Sequence, residues 1–584
     1  MAEIKANPLN RALKECRTAL PIVGVVSLFI NALLMVSPLY MMQMYDRVLG
    51  SGHVETLIFL TLIAGVAVLV MGLLFMVRAK ILARVSRWVE RKLSPELIKA
   101  SMRSALYGLP TSAQSLQDLN TLKTFLSGNG VNAIFDAPWV PIFLFVIWML
   151  NPILGMYALG AAIILFVIAL LNEAVSRKQL KEASRLSIAS MQKANSAIRN
   201  ADVFHAMGML PGFLTSWVAR NDKGLDLYLK ASDLNAAFLG ISKFVRMFVQ
   251  MLILGIGAYL VLQSELTSGG MIAGSILLGR ALAPIDQAIG AWKGMVAARD
   301  AYDRLKHILE RVPEVEEHMP LPAPKGHLSC EQIIFVPQGR LEPVLNGIHF
   351  TLEAGEALGI IGPSAAGKST LCKILIGTWQ PTRGRARLDG ADIFAWHSDQ
   401  VGPYIGYLPQ DVELFGGSVK DNIARLSPEP DADAVVESAM TAGVHDMILR
   451  LPGGYETEIG EAGSHLSGGQ RQRIGLARAL YGKPKLIILD EPNASLDAEG
   501  EEALIGAMEA AKDWGATVII VAHQPRILRP VDKLLVLRDG RMEMFGPRDE
   551  VIGKLRPTPV KPQQPRPRVV ARQPESAPAG AAGE

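Results

Sequence analysis

The chain has 584 residues, half of them hydrophobic, with a mean hydropathy of +0.25, more apolar than a soluble chain of this length usually tolerates. Its 59 Lys and Arg against 55 Asp and Glu leave a net charge of +4, so no global field draws the chain to nucleic acid. Cys16, Cys330 and Cys372 are odd in number and far apart, which argues against a disulfide framework or a metal cluster.

Apolar runs begin at Ala19, Thr56, Ala137, Pro152, Phe248 and Gly269. Each approaches the ~20 residues that cross a bilayer, which predicts six spans in a lipid bilayer. Lys5, Arg11, Lys14 and Arg17 precede the first. Arg84, Arg87, Arg91, Lys92 and Arg103 follow the second, and Arg177, Lys178, Lys181 and Arg185 the fourth. Basic residues accumulate on the cytoplasmic side, so both termini are expected inside. The connections Asp46–Glu55, Asn151–Pro152 and Gln263–Ser268, short and poor in basic residues, should face outward. No cleavage site with small residues follows the first run, and further spans come at once, which argues against a signal peptide. The basic segments after the second and fourth runs read as helices that carry the membrane helices into the cytoplasm.

A Pro-rich stretch from Val312 to Lys325 changes the texture of the chain. The expected division is a transmembrane domain over residues 1–310, a linker over 311–326, a second domain over 327–555 and a disordered Pro-rich tail over 556–584. The fold class is a membrane all-α six-helix domain fused to a cytoplasmic α/β P-loop domain.

Beyond the linker, the β-like run Glu356–Gly362 leads into Gly362-Pro363-Ser364-Ala365-Ala366-Gly367-Lys368-Ser369-Thr370, a match to G-x-x-x-x-G-K-[ST] in the strand-then-helix setting that the motif needs. Backbone N–H groups of such a turn and its helix N-terminus wrap phosphates, Lys368 neutralises the β and γ oxygens, and Ser369 ligates Mg2+. Ala365 and Ala366 stand where many such loops carry glycine; an alanine keeps its N–H and serves there at negative φ. The run Leu486–Leu489 ends in Asp490-Glu491, as a buried parallel strand that delivers carboxylates at its C-terminal edge. Asp490 is the candidate Mg2+ holder and Glu491 the candidate base that polarises the attacking water.

Between these motifs stands Leu466-Ser467-Gly468-Gly469-Gln470. On these three segments together the chain resembles the ATP-binding cassette (ABC) superfamily. The resemblance implies that Gln410 links Mg2+ and the attacking water to the membrane domain, that Asp497 lies in a dimer-contact loop and that His523 contacts the γ-phosphate. It also implies that Ser467, Gly468 and Gly469 of one cassette close over ATP held by Gly362, Ser364, Gly367, Lys368, Ser369 and Thr370 of another. One set of motifs per chain therefore implies a homodimer. Thr457–Glu461 resembles the exporter segment that touches a partner's membrane helices. At the strand before the P-loop, Val336 stands where the family commonly has an adenine-stacking tyrosine, and Phe335 is the candidate substitute.

The membrane half is similar to bacterial type I secretion exporters of the alkaline-protease kind at Met44–Val48, Phe135–Pro141 and Gly279–Gln287, with Trp292. That resemblance implies ATP-driven export of an unfolded secreted protein with a C-terminal signal across the inner membrane, with a periplasmic membrane-fusion adaptor and an outer-membrane channel as partners. No papain-like domain is expected ahead of the first span, unlike in the peptidase-containing exporters. A lipid, peptide or drug exporter is the alternative, and an ATP-gated channel a third reading. Charge in lipid is costly, so Lys243 and Arg246 are expected to snorkel, and Arg280 either pairs with Asp286 or lines the substrate path.

Overall fold

The computed structural model describes residues 19–106, 114–311, 321–337, 339–460 and 463–555, together with Leu9, Arg11, Lys14 and Glu15. Cys16, Glu461, most of the expected linker and the tail lie outside the described residues. The chain divides into two compact units, Met1–Glu314 and Val315–Glu584.

Six helical stretches of the first unit are long and apolar enough to cross a membrane: Ala19–Ser51, Val54–Leu106, Asn129–Leu150, Pro152–Arg199, Leu210–Leu262 and Ser268–Glu310. The second, fourth, fifth and sixth run far past the hydrocarbon thickness; the 53 residues of the second reach about 80 Å at 1.5 Å per residue. The long basic segments thus continue the membrane helices. The third span starts at Asn129, ahead of its apolar run, because a short helix, Asn129–Asp136, enters through a 3-10 turn at Ala137–Trp139. Pro138 and Pro141 sit at the starts of the segments that follow, where a missing N–H costs nothing.

The likeness motifs hold helices together. Asp136 takes Arg78 Nη1 at 2.7 Å and Asn31 Nδ2 at 3.1 Å, while Arg78 also donates to Ser27 Oγ at 3.1 Å. This ties the first three spans around a guanidinium that is 5% exposed. Removing one partner of such a buried pair strands the other charge, a loss of about 3–5 kcal/mol. Asp46, on a π-helical turn at Met44–Val48, accepts from Thr267 Oγ1 at 2.7 Å and Gly269 N at 2.8 Å, and so caps the sixth span. A Cβ on Gly269 would stand 2.6 Å from Asp46 Oδ1, so glycine is required there.

The expected pairing of Arg280 with Asp286 does not occur. Asp286 is bound instead by Arg246 Nη1 at 3.0 Å and by Ser242 Oγ at 2.5 Å, across from the fifth span. Residues six apart on a helix point about 120° away from each other, so Arg280 and Asp286 cannot share a face. Arg246 is thus turned toward a carboxylate on the sixth span.

In the second unit, strands β1 (Leu328–Phe335), β2 (Leu345–Leu352), β4 (Arg383–Leu388) and β5 (Ala391–Asp392) form an antiparallel sheet in the order β2-β1-β4-β5. Strands β3 (Ala357–Ile361), β6 (Ile405–Leu408), β7 (Leu486–Asp490), β8 (Thr517–Val521), β9 (Lys533–Arg538) and β10 (Arg541–Pro547) form the second, in the order β10-β9-β3-β8-β7-β6. All its neighbours are parallel except β10 with β9. The unbroken apolar runs of β3, β7 and β8 are buried on both faces, as parallel strands between layers must be. Cys330 and Cys372 are buried free thiols, and burial pushes both well above the ordinary thiol range, so they stay protonated and inert.

Candidate functional site

The order β3-β8-β7 brings the carboxyl ends of three adjacent parallel strands together, the place where open α/β sheets bind ligands. The loop after β3 turns into the helix Lys368–Leu375. A Cβ on Gly362 would lie 2.1 Å from the Leu537 carbonyl oxygen, and one on Gly367, at φ +97°, would lie 2.8 Å from Leu345 Cδ2. Only glycine lets the turn pass at both points. Lys368 is 6% exposed, and its Nζ donates to the carbonyls of Gly362 and Pro363 at 2.9 and 3.0 Å, which fixes the ammonium inside the loop. Ala365 departs from expectation. Its φ is +65°, in the left-handed region, where a Cβ costs roughly 1–2 kcal/mol. The loop holds that strain where other such loops carry glycine.

Asp490 closes β7 at 2% exposure. Burial raises its pKa above the ordinary carboxylate range, and a hydrogen bond from the Ser369 hydroxyl opposes that rise. Its Oδ1 is buried without a hydrogen-bond partner. A buried, orphaned carboxylate oxygen beside a hydroxyl at the head of a phosphate loop fits Mg2+, which takes one or two protein oxygens and completes its shell with phosphates and water. The ionised form of Asp490 is disfavoured by the fold. Its contribution to stability is therefore present below the unfolded pKa and lost as pH rises through the higher folded value. Asp490→Asn should raise the melting temperature of the metal-free protein at neutral pH, by an amount that shrinks on acidification through the carboxylate range, while lowering Mg2+-dependent hydrolysis by more than about 10²-fold. Thermal denaturation over a pH series and a phosphate-release assay check both halves.

Glu491 follows at φ +50°, a strained conformation of the kind concentrated at active sites. Its N–H bonds the Val521 carbonyl at 3.1 Å, and its carboxylate lies between two other candidate site residues, a contact that the sequence reading did not foresee for either. Gln410 Nε2 donates to Oε2 at 2.9 Å, and His523 Nε2 stands 3.3 Å from Oε1. Gln410 follows β6, Glu491 β7 and His523 β8, so residues 113 positions apart in sequence, as Gln410 and His523 are, meet at one sheet edge.

The helix Gly468–Leu480 is capped by Ser467. Its Oγ accepts from Gln470 N at 3.3 Å while Gln470 Oε1 accepts from Ser467 N at 2.8 Å. Gly469 has the Ser495 carbonyl oxygen 2.9 Å from where a Cβ would be. Asp497 caps the helix Ala498–Asp513 through Gly500 N at 2.9 Å and binds Arg473; these two contacts, in that order, hold its carboxyl below the usual range. Ser467, Gly469, Arg473, Ser495 and Asp497 line one cavity of about 340 Å3, and no phosphate-loop residue lines it. One chain therefore brings the phosphate loop, Asp490, Glu491, Gln410 and His523 together and keeps Ser467 and Asp497 in a separate cavity.

Gln472 was missed by the sequence reading. It is 4% exposed, donates to the Pro492 carbonyl and accepts from Ser495 N at 2.9 Å, and thus fastens the loop after Glu491 to the capped helix. A glutamine on the inward face of a basic helix was its available signal. Phe335 does lie at the end of β1, but its ring is stacked on Trp379, with centroids 5.3 Å apart and planes 17° apart, and Lys373 Nζ sits 4.6 Å from the Trp379 centroid.

A helical membrane unit joined to a P-loop ATPase with a capped Ser-Gly-Gly helix defines a membrane transporter driven by ATP. Family models agree: residues 20–282 match the model described as ABC transporter transmembrane region, and residues 345–494 the model described as ABC transporter. The chain is 41% identical, over 94% of its length and 95% of the relative's, to the type I secretion system ATP-binding protein PrsD of Rhizobium meliloti (strain 1021). It is 28% identical, over 90% of its length and 75% of the relative's, to the leukotoxin translocation ATP-binding protein LktB of Mannheimia haemolytica. A solved bacterial Atm1-family ABC exporter with ATP bound superposes at a TM-score of 0.80 and 21% identity, over 92% of this chain and 96% of that one, a likeness of fold. The chain belongs to the ABC transporters, in the type I secretion branch, as a multi-pass membrane protein that hydrolyses ATP.

Proposed function

We propose that two copies of this chain pair as a homodimer in the bacterial inner membrane, with both termini and both cassettes cytoplasmic, and export an unfolded secreted protein. A periplasmic membrane-fusion adaptor and an outer-membrane channel complete the route. The observation that carries the pairing is the separation of the phosphate loop from the cavity at Ser467, because a nucleotide needs both to be enclosed. The cargo reading is supported by the relatives, which are named for type I secretion and for leukotoxin translocation.

In this reading the membrane domain ends near residue 310 and the cassette runs over 327–555. Gly362, Ser364, Gly367, Lys368, Ser369 and Thr370 hold the ATP phosphates, and Lys368 neutralises their charge. Ser369, Gln410 and Asp490 hold Mg2+, which when bound offsets charge on the leaving phosphate. Glu491 accepts the proton of the attacking water; Gln410 and His523 keep its carboxylate aimed. Ser467, Gly468 and Gly469 of the second copy bring a helix N-terminus against the γ-phosphate, and Asp497 stays in the contact loop.

The test is to trap a Glu491→Gln dimer with ATP in native membranes and crosslink it. Covalent capture of a polypeptide supports the reading. Capture of lipid or a small amphiphile alone replaces it with a lipid or drug exporter.

A further inference from the structure

The sixth span, Ser268–Glu310, differs from the other five in what it leaves uncovered. Each of those presents large apolar side chains outward, as lipid requires; Ile58, Leu62, Val66 and Leu69 do so on the second. Among the described residues of the sixth span, no large apolar side chain is exposed. Between Gly270 and Ala298 its exposed residues are Arg280, Gln287, Gly290 and Gly294, spaced to lie along one side of the helix. A side chain at Gly290 would meet nothing within 4 Å, so that side is open.

Arg280 has neither a hydrogen-bond nor an ion-pair partner among the described residues, and the carboxylate nearest to it in sequence on its own helix, Asp286, is taken by Arg246. Pro284 lies four residues further on inside the same helix. Proline has no N–H, so the carbonyl of Arg280 loses its helical donor. One position at membrane depth thus offers five guanidinium donors and a spare backbone acceptor. At the inner end of the stripe, Lys293 and Gly294 open into a crevice of about 610 Å3, walled also by Asn221, Tyr228, Asp300 and Ser187. There Lys293 Nζ is braced by Ser232 Oγ at 2.6 Å and by the Tyr228 ring, 5.1 Å to its centroid.

We propose that this stripe is the track along which an unfolded polypeptide crosses the membrane, with the crevice beside Lys293 as its inner mouth and Arg280 as the group that holds passing carbonyls and carboxylates. The proposal rests on the export reading above. An extended chain carries an unpartnered N–H and C=O at every residue, and a wall of leucines would leave them all unsatisfied. Arginine at one height and glycine below it supply partners and clearance instead. A lipid face would call for apolar side chains, and the stripe has none. A helix of the second copy could pack against Gly290 and Gly294, but it spends its own carbonyls internally and offers Arg280 no free backbone acceptor.

Photo-crosslinking residues placed at 287 or 290 of the full-length protein, stalled with ATP in native membranes, test the track, with position 69 on the apolar face as control. Polypeptide adducts at 287 and 290 and lipid adducts at 69 are expected. If 287 and 290 capture only lipid or the second copy while polypeptide is captured at other positions, the track is overturned and the exporter reading stands. If polypeptide is captured nowhere, both fall. Arg280→Glu should lower export at least about tenfold and Arg280→Lys by less than about threefold, since lysine keeps the charge but not the fork. Arg280→Gln serves if the Glu variant does not insert, with an expected loss of about threefold to tenfold, an amide keeping part of the donor set. Wild-type export by Arg280→Glu, or by Arg280→Gln where it stands in, removes Arg280 from the track.

Discussion

Glu491→Gln is expected to lower the steady ATPase rate by about 10²–10⁴-fold while leaving ATP binding and ATP-dependent pairing intact. The amide keeps the size of the carboxylate and can still bond Gln410, which now faces Glu491 Oε2 at 2.9 Å, but it cannot take a proton from water. Because position 491 already stands at φ +50°, the substitution changes the chemistry without asking the backbone for anything new. Phosphate release and size-exclusion mobility in ATP, measured on the same preparation, separate the two effects. A variant that hydrolyses ATP at more than about a tenth of the wild-type rate would move the general base elsewhere. His523→Ala should cost less than Glu491→Gln, because His523 orients the carboxylate at 3.3 Å rather than taking the proton.

The chemistry of phosphate leaves a dense trace in sequence, and this is why the cassette could be read so far ahead of its structure. Gly362 and Gly367 stand where backbone passes within van der Waals distance of Leu537 and Leu345, Lys368 holds an ammonium inside the loop, and Ser369 sets a hydroxyl beside Asp490. The apolar runs of β3, β7 and β8 were legible for the same reason: two-sided burial allows no alternation. Six spans were legible because a bilayer sets a length. What escaped depended on direction rather than residue type. Asp286 found Arg246 on another helix, not Arg280 on its own, because helical geometry turns residues six apart away from one another. Ala365 took a positive φ that no propensity would have suggested. Gln472 looked like one more polar residue in a basic helix, yet it fastens that helix to the loop after Glu491. Asp46 and Asp136 lie in segments singled out by a resemblance of motifs, and the structure gives both a physical task in tying spans together.

Mixing two inactive variants gives the largest expected reversal. Lys368→Ala removes the cation from the phosphate loop, and Ser467→Arg fills the cavity that Ser467, Arg473 and Asp497 line, so each variant alone should lose nearly all hydrolysis. If every nucleotide lies between the phosphate loop of one copy and the Ser467 cavity of the other, a mixed dimer places both defects in one site. Its second site combines an intact phosphate loop with an intact cavity. Equimolar mixing with exchange of subunits should therefore restore hydrolysis from near zero to a substantial fraction of wild type, and Glu491→Gln placed on the Ser467→Arg copy should abolish the restored activity, because that copy supplies the catalytic carboxylate of the intact site. The same Glu491→Gln change on the Lys368→Ala copy should do little. If each chain instead enclosed its own nucleotide, every chain in the mixture would carry a broken site and no mixing ratio would recover activity. The asymmetry between the two placements of Glu491→Gln is thus set by one structural fact: the capped Ser467 helix and the phosphate loop are built into the same chain, yet no phosphate-loop residue lines the cavity at Ser467.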